Sequence, residues 1–485
     1  MNDPRLRVAN GVSRRRFLVG LSGAAAGLLV LACTPSAPAQ PTAAPAKPAA
    51  EPTKPALPAA SPAASPAASP AASPVAAAPS AKPASLPNLS GVSLNVLQWS
   101  SFIPEADPFF KKQIEDDFMK QTGARVTIEF VNADDLQPKI NAAVQAGSGP
   151  DLIQFQYNWQ HIYKDAIVDL TDVTEEVKRS TGEFWPQIEA AIKVEGKYLA
   201  VPHDLVPNAM HWRRSWFKEV GYDRFPASYD DLAAAGRKLK ANGHPIGQAL
   251  SHAFGDPPTW CYPLFWAFGG REVDERGRVA INSPETIAAV KWQKEAWGAG
   301  FDEGGFSWDG AANNRAFLAG TISATLNGAS IWWVMRRDKH PAFDDVGLDL
   351  LPAGPKGSYQ FAVNNNWAIM KYSKQVEAAK AFIRWSMQDS VWMPWFEQNG
   401  SYVNGVGPRQ DNNPIWDKFP PAVQVFKNVG TRTRAPGWPG TWDQKAGLAQ
   451  SKYILVDMFT KAAQGDSPES AVAWAENEYK LVYGG

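Results

Sequence analysis

Tryptophan is the residue type in this chain that points most directly to a chemistry. All 20 tryptophans lie after residue 98 of the 485-residue sequence. Core packing is the default explanation, and we expect Trp292 and Trp385, which lie in helix-like segments, to be buried. Carbohydrate binding is the second explanation, because aromatic rings stack on the apolar C–H faces of sugars while Asn, Asp and Gln side chains bond the hydroxyls.

Catalytic chemistry has less support in the sequence. A secreted glycoside hydrolase would also be rich in tryptophan, and it would need two carboxylates at a defined separation. Asp204, Asp302 and Glu303 are candidate acids, but the sequence does not give the distances between them. It contains no H-E-x-x-H metal motif, no G-x-x-x-x-G-K-[ST] phosphate loop and no G-x-S-x-G nucleophile turn. We therefore expect a binding protein that needs no metal or other cofactor, with a hydrolase or a surface adhesion module as alternatives.

The first 33 residues have the composition of an export signal. Arg14-Arg15-Arg16 and Phe17-Leu18 resemble a twin-arginine signal, and an uncharged apolar run follows from residue 19 to residue 32. Val30-Leu31-Ala32-Cys33 resembles a bacterial lipobox, so we expect cleavage before Cys33 and lipid attachment to it. The prediction is an exported protein anchored to the outer face of the cytoplasmic membrane. The alternative is an ordinary secretion signal cut elsewhere, or an uncleaved anchor.

Residues 34–90 have the composition of a disordered tether. They contain 15 of the chain's 40 prolines and no aromatic residue, and the sequence Ser61-Pro62-Ala63-Ala64 recurs at residues 65 and 69. Such a segment has too little apolar surface to offset the entropy of ordering, and proline favours extended polyproline II. The folded part then runs over residues 91–485, which is long enough for two domains.

The charge of the folded part argues against a nucleic-acid partner. Residues 91–485 contain 40 Lys and Arg against 46 Asp and Glu, a net charge of −6, whereas nucleic-acid binding favours a basic surface. Cys261 is the only cysteine after Cys33, so we expect no disulfide within the folded part. The sequence has no further long apolar run after the leader, which argues against an integral membrane protein.

Alternating strand and helix patterns open the folded part. We predict strands over residues 92–99, 125–131 and 150–155 and helices over residues 107–122 and 134–146. Gly123 and Gly147 would end the two helices. This order implies parallel pairing with right-handed crossovers, and ligands then lie beyond the carboxyl ends of the strands. The loops at those ends supply our first candidate ligand-binding residues: Trp99, Ser100, Gln156 and Trp159.

Six short segments follow one another in an order that resembles a known family. They are residues 147–152 (GSGPDL), 198–202 (YLAVP), 208–213 (NAMHWR), 226–232 (PASYDDL), 316–328 (AFLAGTISATLNG) and 350–355 (LLPAGP). Together they resemble family 1 of the bacterial extracellular solute-binding proteins, which includes maltodextrin-binding protein. The chain departs from the sugar-binding branch at Ala329-Ser330, where Pro-Trp is common, and Trp332 and Trp333 follow slightly later.

The resemblance implies an α/β protein with the two-lobed periplasmic-binding-protein fold (type II), in which hinge strands join the lobes and a ligand binds in the cleft between them. It implies an N-terminal lobe of residues 91–206 and 345–386 and a C-terminal lobe of residues 207–344 and 387–485. It also implies that the protein, as a monomer, delivers a solute to the permease subunits of an ATP-driven (ABC) importer.

Further ligand-binding residues are expected near the crossing between lobes and from the second lobe. They are Asp204, Trp260, Asn327, Trp332, Asn365 and Trp438. Asp204 could accept two hydroxyl hydrogen bonds from a sugar, or it could be a salt-bridge partner in the hinge. Trp260 lies in a turn-rich stretch that suits a loop, and Trp438 lies in a stiff loop rich in Pro and Gly. Asn365 interrupts a strand-like run, with a polar turn as the alternative.

A neutral sugar or oligosaccharide is the solute that these loops favour. Polyamines would need a cluster of carboxylates in the cleft, and glycerol phosphates would need arginine or helix N-termini. The candidate loops carry few of either. Polyamines, glycerol phosphates and metal complexes remain alternatives within the same family.

Overall fold

The computed structural model describes residues 86–484, and this part of the chain belongs to one compact unit. The predicted leader, Cys33 and most of the predicted tether lie outside the described residues. Among residues 86–484, every helix is too short or too polar to span a bilayer.

Two sheets form the framework of the protein. The strands of residues 86–484 are β1 Ser93–Trp99, β2 Arg125–Val131, β3 Leu152–Gln156, β4 Lys193–Val194, β5 Lys197–Tyr198, β6 Val201–Val206, β7 Ala209–Arg213, β8 Ala324–Asn327, β9 Val346–Asp349 and β10 Val363–Ile369. A five-stranded sheet has the order β2-β1-β3-β10-β6, with β1 parallel to β2 and β3, and β10 antiparallel to β3 and β6. A three-stranded antiparallel sheet has the order β8-β7-β9, and β4 pairs with β5. We call the larger sheet with its helices the first lobe and the smaller sheet with its helices the second lobe.

Helices cover both sheets. In residues 86–484 they are α1 Ala106–Gln113, α2 Met119–Thr122, α3 Ala133–Ala146, α4 Trp159–Ile162, α5 Thr171–Thr181, α6 Pro186–Ile192, α7 Arg214–Glu219, α8 Tyr229–Ala241, α9 Asp256–Phe268, α10 Pro284–Gly300, α11 Ala312–Leu318, α12 Ser330–Arg337, α13 Val376–Ser386, α14 Asp389–Gln398, α15 Pro408–Asp411, α16 Gln444–Ser451, α17 Ile454–Ala463 and α18 Pro468–Tyr483. A π-helical turn, Ile114–Phe118, joins α1 to α2. Short 3₁₀ turns occupy Glu303–Ser307, Phe343–Asp345, Pro414–Lys418, Pro421–Phe426 and Val429–Thr431.

The strands and helices predicted for the first segments of the folded part are confirmed. The three predicted strands correspond to β1, β2 and β3, and the two predicted helices correspond to the α1–α2 segment and to α3. Gly123 and Gly147 follow these helices with φ values of 74° and 61°. This left-handed conformation costs glycine little, so each glycine ends its helix and turns the chain toward the next element.

Large aromatic rings fill the cores of both lobes. In the first lobe the ring of Trp385 lies 5.3 Å from those of Phe118 and Phe382. In the second lobe the ring of Trp292 lies 5.0 Å from that of Tyr229. The exposed fractions of Trp385 and Trp292 are 0% and 8%, so the prediction that both are core residues is confirmed. Core packing therefore accounts for part of the tryptophan content.

The division of the chain between the sheets differs from the one expected at two places. β9 pairs with β7 in the smaller sheet, whereas the sequence placed residues 345–386 in the first lobe. The chain returns to the larger sheet only at β10. α14 packs against α1, whereas the sequence placed residues 387–485 in the second lobe. The reason is apolar contact: Trp395 of α14 lies 6.2 Å from Phe110 and 4.5 Å from His203.

Candidate functional site

A cavity lies between the two lobes, where β1 of the first lobe ends. Its volume is about 530 Å³, which is within the usual range for small-molecule sites. Residues 99–102 and 132–135 line it from the first lobe, and residues 254–256, 309–311 and 327–328 line it from the second lobe. We call this space the cleft cavity. Because both lobes supply its wall, a ligand inside it contacts both of them.

Aromatic rings form one side of the cleft cavity. Trp99 is the last residue of β1, and its ring lies 6.0 Å from that of Phe254 in the second lobe and 6.2 Å from that of Tyr402. The exposed fraction of Trp99 is 7%, yet the residue lines the cavity. Phe102 lies 6.2 Å from Tyr402 on the same side. These rings pack against one another and present apolar faces to a ligand in the cavity.

Polar side chains lie on both sides of the cavity. Ser100 Oγ donates a 2.6 Å hydrogen bond to Asp107, and burial raises the pKa of that carboxyl group. Asn327, at the end of β8, donates through Nδ2 to Asn314 Oδ1 at 2.8 Å and to Ser330 Oγ at 3.2 Å. Ser100 and Asn327 are therefore held in place by side chains behind them, as residues that orient a polar ligand need to be.

More carboxylates line the cavity than the candidate loops predict. They are Asp134, Asp135, Asp256 and Asp309. Asp134 Oδ1 accepts a 2.7 Å hydrogen bond from the backbone N–H of Phe254, a contact that crosses the cleft. Burial, together with the charges of Asp134 and Asp309, raises the pKa of Asp256 well above its usual value. Hydrogen bonding to Arg315 lowers the pKa of Asp309.

Family comparison agrees with this architecture. The family described as bacterial extracellular solute-binding protein matches residues 103–391, which is more than half of the chain. The chain belongs to this family. The diacetylchitobiose binding protein DasA of Streptomyces coelicolor is 22% identical over 395 residues, covering 76% of this chain and 85% of that protein. A putative binding protein of Brucella abortus is 22% identical over 375 residues, covering 75% of this chain and 88% of that protein.

Solved structures show the same fold. Maltose-bound MalE3 of T. maritima superposes with a TM-score of 0.70 at 21% identity, covering 81% of this chain and 100% of that one. The GacH receptor of Streptomyces glaucescens, studied unliganded and with acarbose, gives a TM-score of 0.68 at 19% identity, covering 81% and 99%. The predicted α/β class and two-lobed periplasmic-binding-protein fold are confirmed.

Three of the predicted ligand-binding residues of this solute-binding protein line the cleft cavity, namely Trp99, Ser100 and Asn327. Gln156, Asp204 and Asn365 form a buried network in the larger sheet instead. Gln156 Nε2 donates to Asn365 Oδ1 at 3.3 Å, and Asn365 Nδ2 donates to Asp204 Oδ1 at 2.6 Å. Asp204 Oδ2 lies 2.7 Å from His203 Nδ1, so Asp204 has the pairing of a structural residue beside the crossing.

Two predicted tryptophans lie behind the cavity wall. Trp159 is 3% exposed, and its ring lies 6.1 Å from that of Phe254. Trp260 lies within α9 rather than in a loop, because Asp256-Pro257-Pro258 begins a helix: proline at the first helical positions lacks only an N–H that has no intrahelical partner there. The indole N–H of Trp260 donates to Gln293 at 2.9 Å in the core of the second lobe.

Trp332 and Trp438 are not among the residues of the described structure that line the cavity. The ring of Trp332, in α12, lies 5.1 Å from that of Trp333, and the guanidinium of Arg336 lies 5.4 Å from it. Trp438 is half-buried, and the guanidinium of Arg434 lies 3.7 Å from its ring. The aromatic cavity residues that sequence reasoning missed are Phe102, Phe254 and Tyr402, because none of them directly follows a predicted strand end.

A second cavity, of about 630 Å³, lies beside α1, α12 and α14. Arg337 Nη1 lies 3.2 Å from Glu105 Oε1 there and joins the lobes, and the guanidinium of Arg336 lies 5.1 Å from the ring of Trp333. This cavity is larger, but it does not contain the carboxyl end of β1, and both arginines already have partners. We therefore place the candidate site in the cleft cavity.

Proposed function

We propose that this protein binds a sugar or oligosaccharide in the cleft cavity and presents it, chemically unchanged, to the permease subunits of an ABC importer. The observation that carries the proposal is the composition of the cavity wall. Trp99 and Phe254 supply aromatic faces from different lobes, and Ser100, Asn327 and the aspartates supply polar groups. Rings for the C–H faces and polar groups for the hydroxyls are what a saccharide requires.

Contacts across the cleft support a closing motion of the two lobes. The Asp134–Phe254 hydrogen bond, the Trp99–Phe254 ring contact and the Arg337–Glu105 ion pair all join first-lobe to second-lobe segments. A ligand that touches both walls adds contacts that exist only when the lobes are close together, so it favours the closed form. The closed form is then the shape that a permease would recognise.

The hydrolase alternative gains no support from its three candidate acids, Asp204, Asp302 and Glu303. Asp204 is buried and bonded to His203 and Asn365. Asp302 accepts a 2.7 Å hydrogen bond from the N–H of Gly304, and the side chain of Glu303 is 78% exposed. None of these three candidate acids lines the cleft cavity of the described structure. We propose that binding is the whole of the activity.

A panel of saccharides tests the proposal by thermal shift. We expect at least one saccharide to raise the melting temperature by several degrees, because a ligand at 100 times its Kd stabilises the native state by about 2.7 kcal/mol. Incubation with that saccharide, followed by chromatography, should recover it intact. Unchanged melting across mono-, di- and oligosaccharides would contradict the proposed function, and steady release of hydrolysis products would favour the enzyme alternative.

We also propose that the protein is exported by the twin-arginine route and carries a lipid anchor at Cys33. The Pro-rich segment would then be a spacer between the membrane and the folded part, at the cell surface or in the periplasm. Support comes from the lipobox-like Val30-Leu31-Ala32-Cys33 and from the composition of residues 34–90. Labelled palmitate should enter the wild-type protein in the cells that make it, and the Cys33→Ser variant should lack the label and leave the membrane fraction. Equal labelling of the two proteins would exclude this attachment site.

A further inference from the structure

Three aspartates from distant parts of the sequence meet at the cleft cavity. Asp134 lies in the first turn of α3 in the first lobe, Asp256 begins α9 in the second lobe, and Asp309 precedes α11. Asp134 Oδ1 accepts from the N–H of Phe254, two residues before Asp256. A Cβ atom placed on Gly310 would lie 3.6 Å from Asp134 Oδ2. Asp134 is therefore in contact with both second-lobe segments that carry the other two carboxylates.

The wall of this cavity carries more negative than positive charge. Its acidic residues are Asp134, Asp135, Asp256 and Asp309, and Arg315 is the only basic residue of the described chain that lines it. Arg315 is already engaged, because its Nη2 atom lies 2.9 Å from each carboxylate oxygen of Asp309. Among the described residues, the carboxylates of Asp134 and Asp256 therefore line the cavity without a cationic partner of their own.

Asp256 is the carboxylate that most needs a partner. Its Oδ2 atom is buried and has no hydrogen-bond partner among the described residues. Among the described residues, the groups whose charges act on Asp256, or on which its charge acts, are Asp134, Asp309, Tyr157 and Tyr402, and none of them is a cation. Arg315, the cation on this wall, is paired with Asp309. Burial first, and then the charge of Asp256, raise the pKa values of both tyrosines. A buried charge without a partner costs free energy, which a cation in the cavity would recover.

We propose that the solute is a saccharide that carries a protonated amine, and that this amine binds between Asp134 and Asp256. The inference rests on the saccharide binding proposed above and adds the charge of the ligand. An ammonium group has three N–H donors and no acceptor, so it complements carboxylate oxygens. The rings of Trp99 and Phe254 on the adjoining wall attract a cation at their faces as well as stacking on the sugar.

A neutral sugar complements the same wall less well. Its hydroxyls can bond to the carboxylate oxygens, but they leave the repulsion between Asp134 and Asp256 without compensation. Burial and the charges of Asp134 and Asp309 raise the pKa of Asp256, which is the direction expected for a carboxyl group without a cationic partner. An ammonium group supplies that partner, whereas a neutral sugar does not.

Titration calorimetry with three matched disaccharides tests the inference. The probes are the β-1,4-linked disaccharide of glucosamine, its N,N′-diacetyl derivative and cellobiose, each measured at pH 6 at low and at high salt concentration. We expect the diamino disaccharide to bind about tenfold to 100-fold more tightly than either neutral one, as charge-assisted hydrogen bonds allow. Its affinity should fall as the salt concentration rises, because ions screen the contact between ammonium and carboxylate, and the affinities of the neutral probes should not.

Matched variants identify the carboxylate responsible. Asp256→Asn keeps the shape of the side chain and should abolish both the preference for the amine and its dependence on salt. Asp165→Asn makes the same chemical change at an exposed first-lobe position that does not line the cavity, and it should change neither. Equal or tighter binding of the neutral disaccharides would overturn the amine inference and leave saccharide binding intact. Binding of spermidine, together with no response to any saccharide of the thermal-shift panel, would contradict both proposals.

Discussion

Replacement of Trp99 by alanine is expected to weaken saccharide binding about 30- to 100-fold, or roughly 2–3 kcal/mol. Trp99 lies at the end of β1 and lines the cleft cavity, and its ring lies 6.0 Å from that of Phe254 in the opposite lobe. Alanine removes a stacking surface for the sugar and, at the same time, a contact that forms between the lobes. Titration calorimetry with the tightest-binding saccharide of the panel measures the loss.

Two further variants separate stacking from a general loss of structure. Trp99→Phe keeps an aromatic face, so the loss of affinity should be about tenfold or less even if the alanine variant folds poorly. Trp438→Ala removes a half-buried ring that lies against Arg434 outside the cavity, and the Kd should stay within about twofold. If Trp438→Ala lost more affinity than Trp99→Ala, the ligand would bind near the Trp438 loop and not in the cleft cavity.

The parts of the fold that the sequence predicts are those determined by residues close together in the chain. The alternation of apolar residues gives β1, and the helix stripes that end at Gly123 and Gly147 give the α1–α2 segment and α3. In parallel sheets a ligand lies beyond the carboxyl ends of the strands, so the predicted end of β1 was enough to identify Trp99 and Ser100 as cavity residues. These predictions need no knowledge of how distant segments pack.

The rest depends on register and packing between distant segments. Asn365 lies opposite both Gln156 and Asp204 in the larger sheet, so the three side chains bond to one another instead of reaching the cavity. No local pattern gives that register. Asp256 was missed because Asp-Pro-Pro is compatible with a turn as well as with a helix start. The expectation that the cleft contains few carboxylates is wrong. Its aspartates come from three segments that lie far apart in the sequence, and no local pattern shows that these segments meet.

One buried acid outside the cleft couples the stability of the second lobe to pH. Glu272 is 0% exposed and accepts hydrogen bonds from Tyr262 of α9 at 3.2 Å, from Tyr479 of α18 at 2.7 Å and from the N–H of Gly437. It therefore ties two helices to the loop that carries Trp438. Burial outweighs these hydrogen bonds and raises the pKa of Glu272 from 4.5 to about 7.

Replacement of Glu272 by glutamine should change the pH dependence of unfolding by about 3 kcal/mol. The raised pKa means that the folded protein keeps the proton of Glu272 after the unfolded chain has lost it. The stability from this group is thus complete below pH 4.5 and is lost as the pH rises to about 7. Glutamine cannot ionise, so the variant should gain on the wild type by that amount between pH 4.5 and pH 8, as measured by urea unfolding.

The difference between the two proteins isolates this residue, because every other titrating group is common to both. Asp411, whose pKa burial also raises to about 7, contributes with the same sign to both curves and cancels. Glu295→Gln alters a carboxylate whose side chain is 66% exposed, and its curve should run parallel to that of the wild type. Parallel curves for Glu272→Gln and the wild type would mean that Glu272 ionises in the folded protein as easily as in water. Since burial is what separates Glu272 from Glu295, that result would require water to reach the contact between α9, α18 and the Gly437 loop.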